Sequence, residues 1–577
     1  MNYLSIFHMV LLGFILHPCN GKDGSHDHVD MLESLAFERK PNIVLLVADD
    51  MGWGDLGANW LWAPSTVELF LHSKARTATP NLDNLAMGGL RFTDFHTAAS
   101  VCAPSRAALL TSRLGLRTGV VQNFNVDAIG GLPSNETTIA RMLLDTGYKT
   151  AMFGKWHLGL SEGHHPLDHG FQSYFGVPYS VDMGCTNPPG LNIPQCSGCA
   201  QDNDLPEWKH DRQNKFINVS ISNCRGDIAI PLFSNHSIIH QPVKLEKLSA
   251  LYGAFAENFI FNSDDNGPPF FLYGAFSHVH VPLLTAHGSN QKDKVFEEAL
   301  AEVDEVVGRI ARAVYKIRLP LKKSISSSRE TLIWFLSDNG PWEVKCELSG
   351  SWGPFNGDWQ RNPYAGGGGG ASKQTVWEGG HRVPSFIHWP SRVKGGRVSK
   401  ELLSAMDIMP TLASISGANL PRNRLFDGQD ISDIILENKK DHPYYLGNGL
   451  SRTSRTLYHP NSGASGHDGE IGAIRIGNYK AVFYSGGAPD CSGYYPPRAN
   501  HSQDPLVFDL SIDPAEASPL SSNTEVYSWV KSLASDALIS LYNSLKSDNI
   551  STVTFATNPE ARPCCAKDSL VCRCPWD

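Results

Sequence analysis

The stretch Asn42-Ile43-Val44-Leu45-Leu46-Val47-Ala48, followed at once by Asp49-Asp50, decides the fold. An apolar run without polar alternation suits a strand covered on both faces, as in a parallel sheet flanked by helices. The run ends on two adjacent carboxylates, which repel one another unless a cation lies between them. A lone Asp-Asp pair would ordinarily be a turn or a helix cap. Met51-Gly52-Trp53-Gly54-Asp55-Leu56-Gly57 comes next, a glycine-rich turn that lets backbone approach a bound group closely.

Three more runs behave the same way. Tyr148 to Gly154 leads into Lys155-Trp156-His157, Pro269 to Phe276 into Ser277-His278-Val279-His280, and Thr331 to Ser337 into Asp338-Asn339-Gly340. In an open parallel sheet the carboxyl ends of the strands share one edge, where ligands bind, so these clusters can converge. Helical stretches lie between them. Phe296 to Ile317 carries its acids early and its bases late, matching the helix dipole, and Thr137 to Thr146 is a second helix. This alternation predicts an α/β domain over residues 40–440, with a large mixed, mostly parallel sheet flanked by helices. Residues 441–577 change texture. Short strands at Gly472–Ile476, Tyr479–Tyr484 and Leu506–Leu510, then a helix from Val526 to Leu545, predict a smaller antiparallel sheet packed on a helix, ahead of a Cys-rich tail.

A reactive residue stands at the mouth of one helix. In Val101-Cys102-Ala103-Pro104-Ser105-Arg106, continuing through Ala107-Ala108-Leu109-Leu110-Thr111-Ser112-Arg113, Pro104 suits the first helical position and puts Cys102 just before a helix N-terminus. Free N–H groups there favour an anion or a developing negative charge, and Arg106 adds a positive fork. A second delivery element is the run Ala365 to Gly370, expected to be a flexible loop that carries Lys373; it has no P-loop spacing. His278 reads as lining, and His164, His165 and His169 as loop residues.

Composition narrows the class. The net charge is -9, so there is no basic footprint for nucleic acid, and an anionic substrate must be drawn in by local positive groups. Residues 1–21, with an apolar centre from Ile6 to Leu16, read as a signal peptide, and no later stretch approaches a transmembrane segment. Sequons at Asn135, Asn218, Asn235, Asn500 and Asn549 agree with the secretory pathway. Of twelve cysteines, Cys19 leaves with the signal peptide, and setting Cys102 aside leaves an even ten for bridges. Cys185, Cys196, Cys199 and Cys224 are expected to staple one loop, and Cys564, Cys565, Cys572 and Cys574 the tail, where zinc is the competing reading.

Cys-x-Pro-Ser-Arg followed by x-x-x-Leu-Thr-x-Arg resembles the signature of the sulfatase family, in the alkaline phosphatase superfamily. The tail and the C-terminal sheet resemble arylsulfatases of the arylsulfatase A type. The resemblance covers most of Pro41 to Pro384 and implies that Cys102 is oxidised to formylglycine by a formylglycine-generating enzyme during secretion. It matches Asp49, Asp50, Cys102, Arg106, Lys155, His157, His280, Asp338, Asn339 and Lys373. Oxygen ligands from Asp49, Asp50, Asp338 and Asn339 suit a hard cation, and the resemblance favours one Ca²⁺, with residue 102 beside it. It further implies that Arg106 and Lys155 orient the hydrated aldehyde, that His157 lies beside it, and that His280 and Lys373 face the sulfate and leaving oxygen. The expected activity is sulfate ester hydrolysis, in a lysosomal or extracellular protein; assembly into a homo-oligomer is left open. Two alternatives stand: a phosphoester hydrolase on the same sheet, and a secreted matrix glycoprotein that binds sulfated polysaccharide.

Overall fold

The computed structural model describes residues 39–60, 79–193, 228–288, 291–317, 329–437, 455–567 and 571–575. The signal peptide, Asn218 and the cysteines at 196, 199 and 224 lie outside them. The described residues from Pro41 onward belong to one compact unit.

The strands in chain order are β1 (Asn42–Ala48), β2 (Leu90–Phe92), β3 (Phe95–His96), β4 (Lys149–Gly154), β5 (Ser173–Gly176), β6 (Leu232–Ser234), β7 (Ser237–His240), β8 (Phe270–Ala275), β9 (Thr331–Ser337), β10 (Ser385–His388), β11 (Arg397–Ser399) and β12 (Leu403–Ser404). Ten of them make one sheet in the order β11-β2-β10-β9-β1-β8-β4-β5-β6-β7, while β3 pairs with β12. The four runs picked out by sequence are the adjacent strands β9, β1, β8 and β4, all mutually parallel. The sheet turns antiparallel at its flanks, between β9 and β10 and from β5 to β7.

β1 shows why its sequence lacks alternation. Val44, Leu46 and Ala48 pack on the face covered by helices Leu245–Phe261 and Lys292–Ile317, through Tyr252, Ala256, Val303 and Val307. Ile43, Leu45 and Val47 pack on the other face with Ala103, Ala107, Leu143 and Met409, from helices Cys102–Thr111, Ile139–Asp145 and Ile408–Ser416. Both faces are dry, so every position must be apolar.

The C-terminal strands are β13 (Thr456–Pro460), β14 (Ile471–Ile476), β15 (Tyr479–Val482), β16 (Tyr484–Ser485), β17 (Ala499–Asn500) and β18 (Leu506–Asp509). β13-β14-β15-β18 is an antiparallel sheet, packed by helix Glu525–Ser547 through Val530, Ala534 and Leu541 against Ile474, Ala481 and Val507. Its other face holds Trp377 of the large domain against Val482 and Phe508. Disulfides join Cys564 to Cys572 and Cys565 to Cys574, so the tail is bridged and not a zinc site, and a third joins Cys346 to Cys491.

Two local expectations are corrected. The helix begins at Cys102 itself, with Val101 as its cap, so Pro104 is the third helical residue. The position is tolerated because the third N–H of a helix has no intrahelical acceptor either. The glycine run is not a loose loop. Gly367, Gly368 and Gly369 all have φ between 84° and 87°, a conformation that side chains resist. Gln360, fully buried, donates to the carbonyls of Gly366 and Gly368 and clamps the turn.

Candidate active site

The four strand ends meet as their shared edge requires. Asp49 and Asp50 leave β1, Lys155 and His157 leave β4, His280 follows β8, and Asp338 and Asn339 leave β9. The backbone is unusual at two of these exits, since Asp50 and His157 both have φ of 60°. Such left-handed residues cost about 1–3 kcal/mol and persist only when their surroundings hold them. At the end of β4, a Cβ on Gly154 would sit 1.7 Å from the Ala275 carbonyl oxygen, so only glycine lets Lys155 turn inward there.

All ten residues matched by sequence are buried and come together. Lys155 Nζ donates to Asp49 Oδ2 at 2.6 Å, and Lys373 Nζ to Asp50 Oδ1 at 2.5 Å. Arg106 forks onto Asp338 Oδ2 through Nε at 2.9 Å and Nη2 at 2.7 Å, and onto the Lys155 carbonyl through Nη1 at 2.9 Å. Asn339 Nδ2 donates to Asp50 Oδ1 at 2.7 Å. The Cys102 Sγ lies 3.8 Å from Asp49 Oδ1. His280 Nε2 stands 3.5 Å from Asp50 Oδ2 and 3.4 Å from Ser180 Oγ. His157 is enclosed, and neither ring nitrogen has a hydrogen-bond partner among the described residues.

The electrostatics follow from this crowding. Burial would raise Asp49, but Lys155, His280 and Arg106 outweigh it and hold the carboxyl below its ordinary range. Asp338 is raised, by burial first and then by Asp49. Burial alone would discharge the Arg106, Lys155 and Lys373 side chains; the carboxylates beside them reverse that and keep all three cationic. Burial, reinforced by Lys155 and Arg106, keeps the His157 imidazole neutral, far below its usual range. The Cys102 thiol is pushed up to about 12 by burial.

The donor set fits a hard cation. Asp49, Asp50 and Asp338 present carboxylate oxygens within one buried cluster, and the Asn339 Oδ1, also buried, has no hydrogen-bond partner among the described residues. Oxygen-only donors of this kind suit Mg²⁺ or Ca²⁺. Asp49, Asp50, Cys102 and His280 also lie within metal-holding distance of one another.

Some neighbours escaped sequence reading. Ser180 and Asp182 follow β5, whose short apolar run is broken by Pro178, so its C-terminal end gave no signal. Burial would raise Asp182, yet His280, Ser180 and Lys373 together hold it below its ordinary range. Trp342 carries the Lys345 ammonium 4.3 Å from one ring and that of Lys373 at 4.6 Å, and its ring is 5.4 Å from the His280 ring. His278 lies in a turn beyond β8, and its Nε2 stands 3.3 Å from Glu302 Oε2. His164 bonds the Leu132 carbonyl and His165 caps the turn Pro166–His169, both structural roles.

A second group of metal-ligand type, which the sequence did not suggest, is Asp94, His96 and Glu378. Its carboxylates are already paired: Asp94 with Arg475 and Arg382, Glu378 with Arg475 and Lys480. It is an ion-pair network between the large and small sheets.

A cluster of carboxylates and cations at the carboxyl edge of a parallel sheet, with one residue at a helix mouth aimed into it, defines a hydrolase of anionic esters. Residues 41–418 match the sulfatase family, and residues 452–574 match the C-terminal region of aryl-sulfatase. The chain is 43% identical to Arylsulfatase G of Rattus norvegicus over 538 residues, covering 93% of each protein. It is 34% identical to Arylsulfatase A of Homo sapiens over 573 residues, covering 94% of this chain and 96% of that protein. The crystal structure of a sulfatase from Pseudoalteromonas sp. superposes with a TM-score of 0.66 at 23% identity, covering 92% of this chain and 97% of that one. The chain belongs to the sulfatase family and is a sulfuric ester hydrolase, in a family that works with a metal ion and a formylglycine.

Proposed function

We propose that residue 102 is the formylglycine, that the metal is Ca²⁺, and that the ten clustered residues perform the hydrolysis of a sulfate ester. The observation that carries the reading is Cys102 at the first position of a buried helix, 3.8 Å from Asp49 and among Arg106, Lys155 and Lys373, with no disulfide partner among the described residues. Asp49, Asp50, Asp338 and Asn339 would hold the cation, which supplies Lewis-acid stabilisation of charge on the sulfuryl oxygens. Formylglycine, hydrated, would supply one hydroxyl to attack sulfur with departure of the ester's alcohol, and a second whose deprotonation would let sulfate leave and restore the aldehyde.

The chain's own side chains do the rest. Arg106 and Lys155, fixed by Asp338 and Asp49, orient residue 102. His157 is held neutral, which suits an acceptor of the proton from the remaining hydroxyl. Lys373 and His280, both against Asp50, face the sulfate and leaving oxygen. Their preformed charges require no reorganisation when the transition state spreads its charge.

The rival phosphoester chemistry on this sheet uses a Ser or Thr nucleophile and a second His- and Asp-rich metal site. The only further cluster among the described residues, at Asp94, is paired with arginine and lysine. Four sequon asparagines, Asn135, Asn235, Asn500 and Asn549, are exposed, which supports glycosylation on the route to a lysosome or the exterior. The modifying partner is a formylglycine-generating enzyme. Residues 40–440 and 441–577 act as catalytic and supporting domains, and association into a homo-oligomer is compatible with this reading.

Mass spectrometry of the tryptic peptide Phe92 to Arg106 tests the reading. An aldehyde or its hydrate at 102 is expected; an alkylatable thiol there in active, secreted protein overturns it.

A further inference from the structure

Trp342 offers no group to the chemistry at sulfur, yet its ring lies against both residues proposed to face the leaving oxygen. The Lys373 ammonium stands 4.6 Å from the ring centre, and the His280 ring 5.4 Å from it. A third group, the Lys345 ammonium, stands 4.3 Å from the same ring. Trp342 and Lys345 also line one small cavity with Asp50, the carboxylate that both Lys373 and His280 approach.

Asp50 is a weak anchor for Lys373 by itself. Its Oδ1 accepts from Lys373 Nζ at 2.5 Å and from Asn339 Nδ2 at 2.7 Å, so one oxygen serves two donors. A lysine ammonium sits on a long flexible stem and has three N–H groups to place. An aromatic face attracts the charge without fixing the direction of any N–H, which leaves the remaining donors to a substrate oxygen.

The chain on either side of Trp342 holds the indole in register with Lys373. The Lys373 amide donates to the Pro341 carbonyl at 3.1 Å. Glu343 Oε2 accepts from the Ala371 amide at 3.0 Å and the Ser372 hydroxyl at 3.3 Å, and Arg361 pairs with the same carboxylate. Residues 341 and 343 thus grip the three residues that end at Lys373. Lys345 steadies the ring itself. Its buried ammonium donates to Asn192 Oδ1 at 2.9 Å, and no carboxylate pairs with it among the described residues. A buried cation so placed draws part of its compensation from the indole.

Resting on the reading that gives Lys373 and His280 the leaving oxygen, we propose that Trp342 is a positioning residue of this site. Its indole holds the Lys373 ammonium by a cation–π contact and braces the His280 ring, and Lys345 keeps the indole in place.

The experiment measures kcat/KM in the full-length enzyme for a sugar sulfate, whose leaving group is poor, and for nitrophenyl sulfate, whose leaving group is good. Trp342→Phe keeps an aromatic face, whereas Trp342→Leu keeps apolar bulk without one. On the sugar sulfate the leucine variant should lose about tenfold and the phenylalanine variant about threefold or less; on nitrophenyl sulfate the leucine variant should lose about threefold or less. The leucine change is then repeated in Lys373→Ala. There it should cost about threefold or less on the sugar sulfate, because the ammonium that the ring held is gone. No loss in the leucine variant, equal losses from leucine and phenylalanine, or a full tenfold loss in the Lys373→Ala background would overturn the positioning role. A Lys373→Ala enzyme as active as the wild type on both substrates would instead strike at the reading that gives Lys373 the leaving oxygen.

Discussion

In the proposed mechanism the chemistry turns on Cys102, whose formylglycine diol would serve two roles that one hydroxyl cannot combine. In Cys102→Ser the side chain could accept a sulfuryl group but could not collapse to a carbonyl to release it. The variant should therefore show one turnover at most, with a sulfate adduct at residue 102 in its intact mass; repeated turnover would contradict the diol. Asp338 is raised by burial and by Asp49, so it is a carboxylate that needs a cation near it. Asp338→Ala should lose tightly bound metal and at least about a hundredfold in activity together, since Lewis-acid stabilisation is worth several kcal/mol. Metal analysis and kinetics on one preparation check both, and full activity after exhaustive chelation would reject a catalytic cation. In the proposed mechanism His280 and Lys373 differ from Arg106 and Lys155 in facing the leaving oxygen. General acid help is worth about 10² to 10⁴-fold and matters most for a poor leaving group. His280→Ala or Lys373→Ala should thus depress kcat/KM more for a sugar sulfate than for nitrophenyl sulfate, whereas loss of Lys155 should depress both alike. Equal losses on the two substrates would reduce both residues to sulfate binding.

Among the elements, the glycine turn shows how the local backbone leads into the buried Lys373 ammonium. Gly368 has φ of 87° and its carbonyl is clamped by Gln360. An alanine there would hold an L side chain in the left-handed region, at about 1–2 kcal/mol, and would press on the Tyr494 ring at 3.2 Å. Gly368→Ala should lower the denaturation midpoint accordingly and weaken sulfate binding through Lys373, read as a rise in KM. An unchanged midpoint and KM would show that the turn is dispensable. Helix Cys102–Thr111 makes the same point from the other side. It ends at Ser112, whose φ of 58° is the left-handed cap that glycine adopts freely, and Arg113 beyond it is buried against Glu136 and Asp548.

Across the whole molecule, the small sheet is bolted to the active-site domain by buried charge. Lys480 of β15 bonds Glu378 at 3.0 Å and Glu516 at 2.8 Å, and Arg475 of β14 reaches both Asp94 and Glu378. Two buried carboxylates facing one ammonium cannot both ionise cheaply. Glu516 is raised to about 7, by burial foremost and by Glu378, against the pull of Lys480. It holds its proton more tightly folded than unfolded. Its contribution to stability is therefore full below its ordinary value of 4.5 and is lost as pH rises through about 7. The buried imidazoles of His96, His381 and His459, all lowered by burial, act in the opposite sense, so the useful quantity is a difference between proteins. Thermal melts of the wild type and Glu516→Gln from pH 4.5 to 7.5 should show the wild type losing ground to the variant as pH rises; parallel curves would dismiss Glu516 as the titrating group.

By itself the sequence pointed to the central sheet and to the residues that its carboxyl edge brings together. Unbroken apolar runs ending in Asp49-Asp50, Lys155-Trp156-His157, His278-Val279-His280 and Asp338-Asn339 could only be buried parallel strands, and a parallel sheet puts all carboxyl ends on one edge. The short flanking strands were not legible, because β2, β10 and β11 have three or four residues each and take their conformation from neighbours already in the sheet. The same holds for Ser180 and Asp182, brought to His280 by β5 pairing with β4. Only tertiary structure decided that the glycine run is rigid, since its clamp, Gln360, and its cover, Pro496, are apart from it in sequence. Only tertiary structure could show, too, that Asp94, His96 and Glu378 are already paired, because Arg475 and Lys480 come from a different sheet. Periodicity records which faces of an element are dry, and it is silent on which distant side chain fills the space opposite.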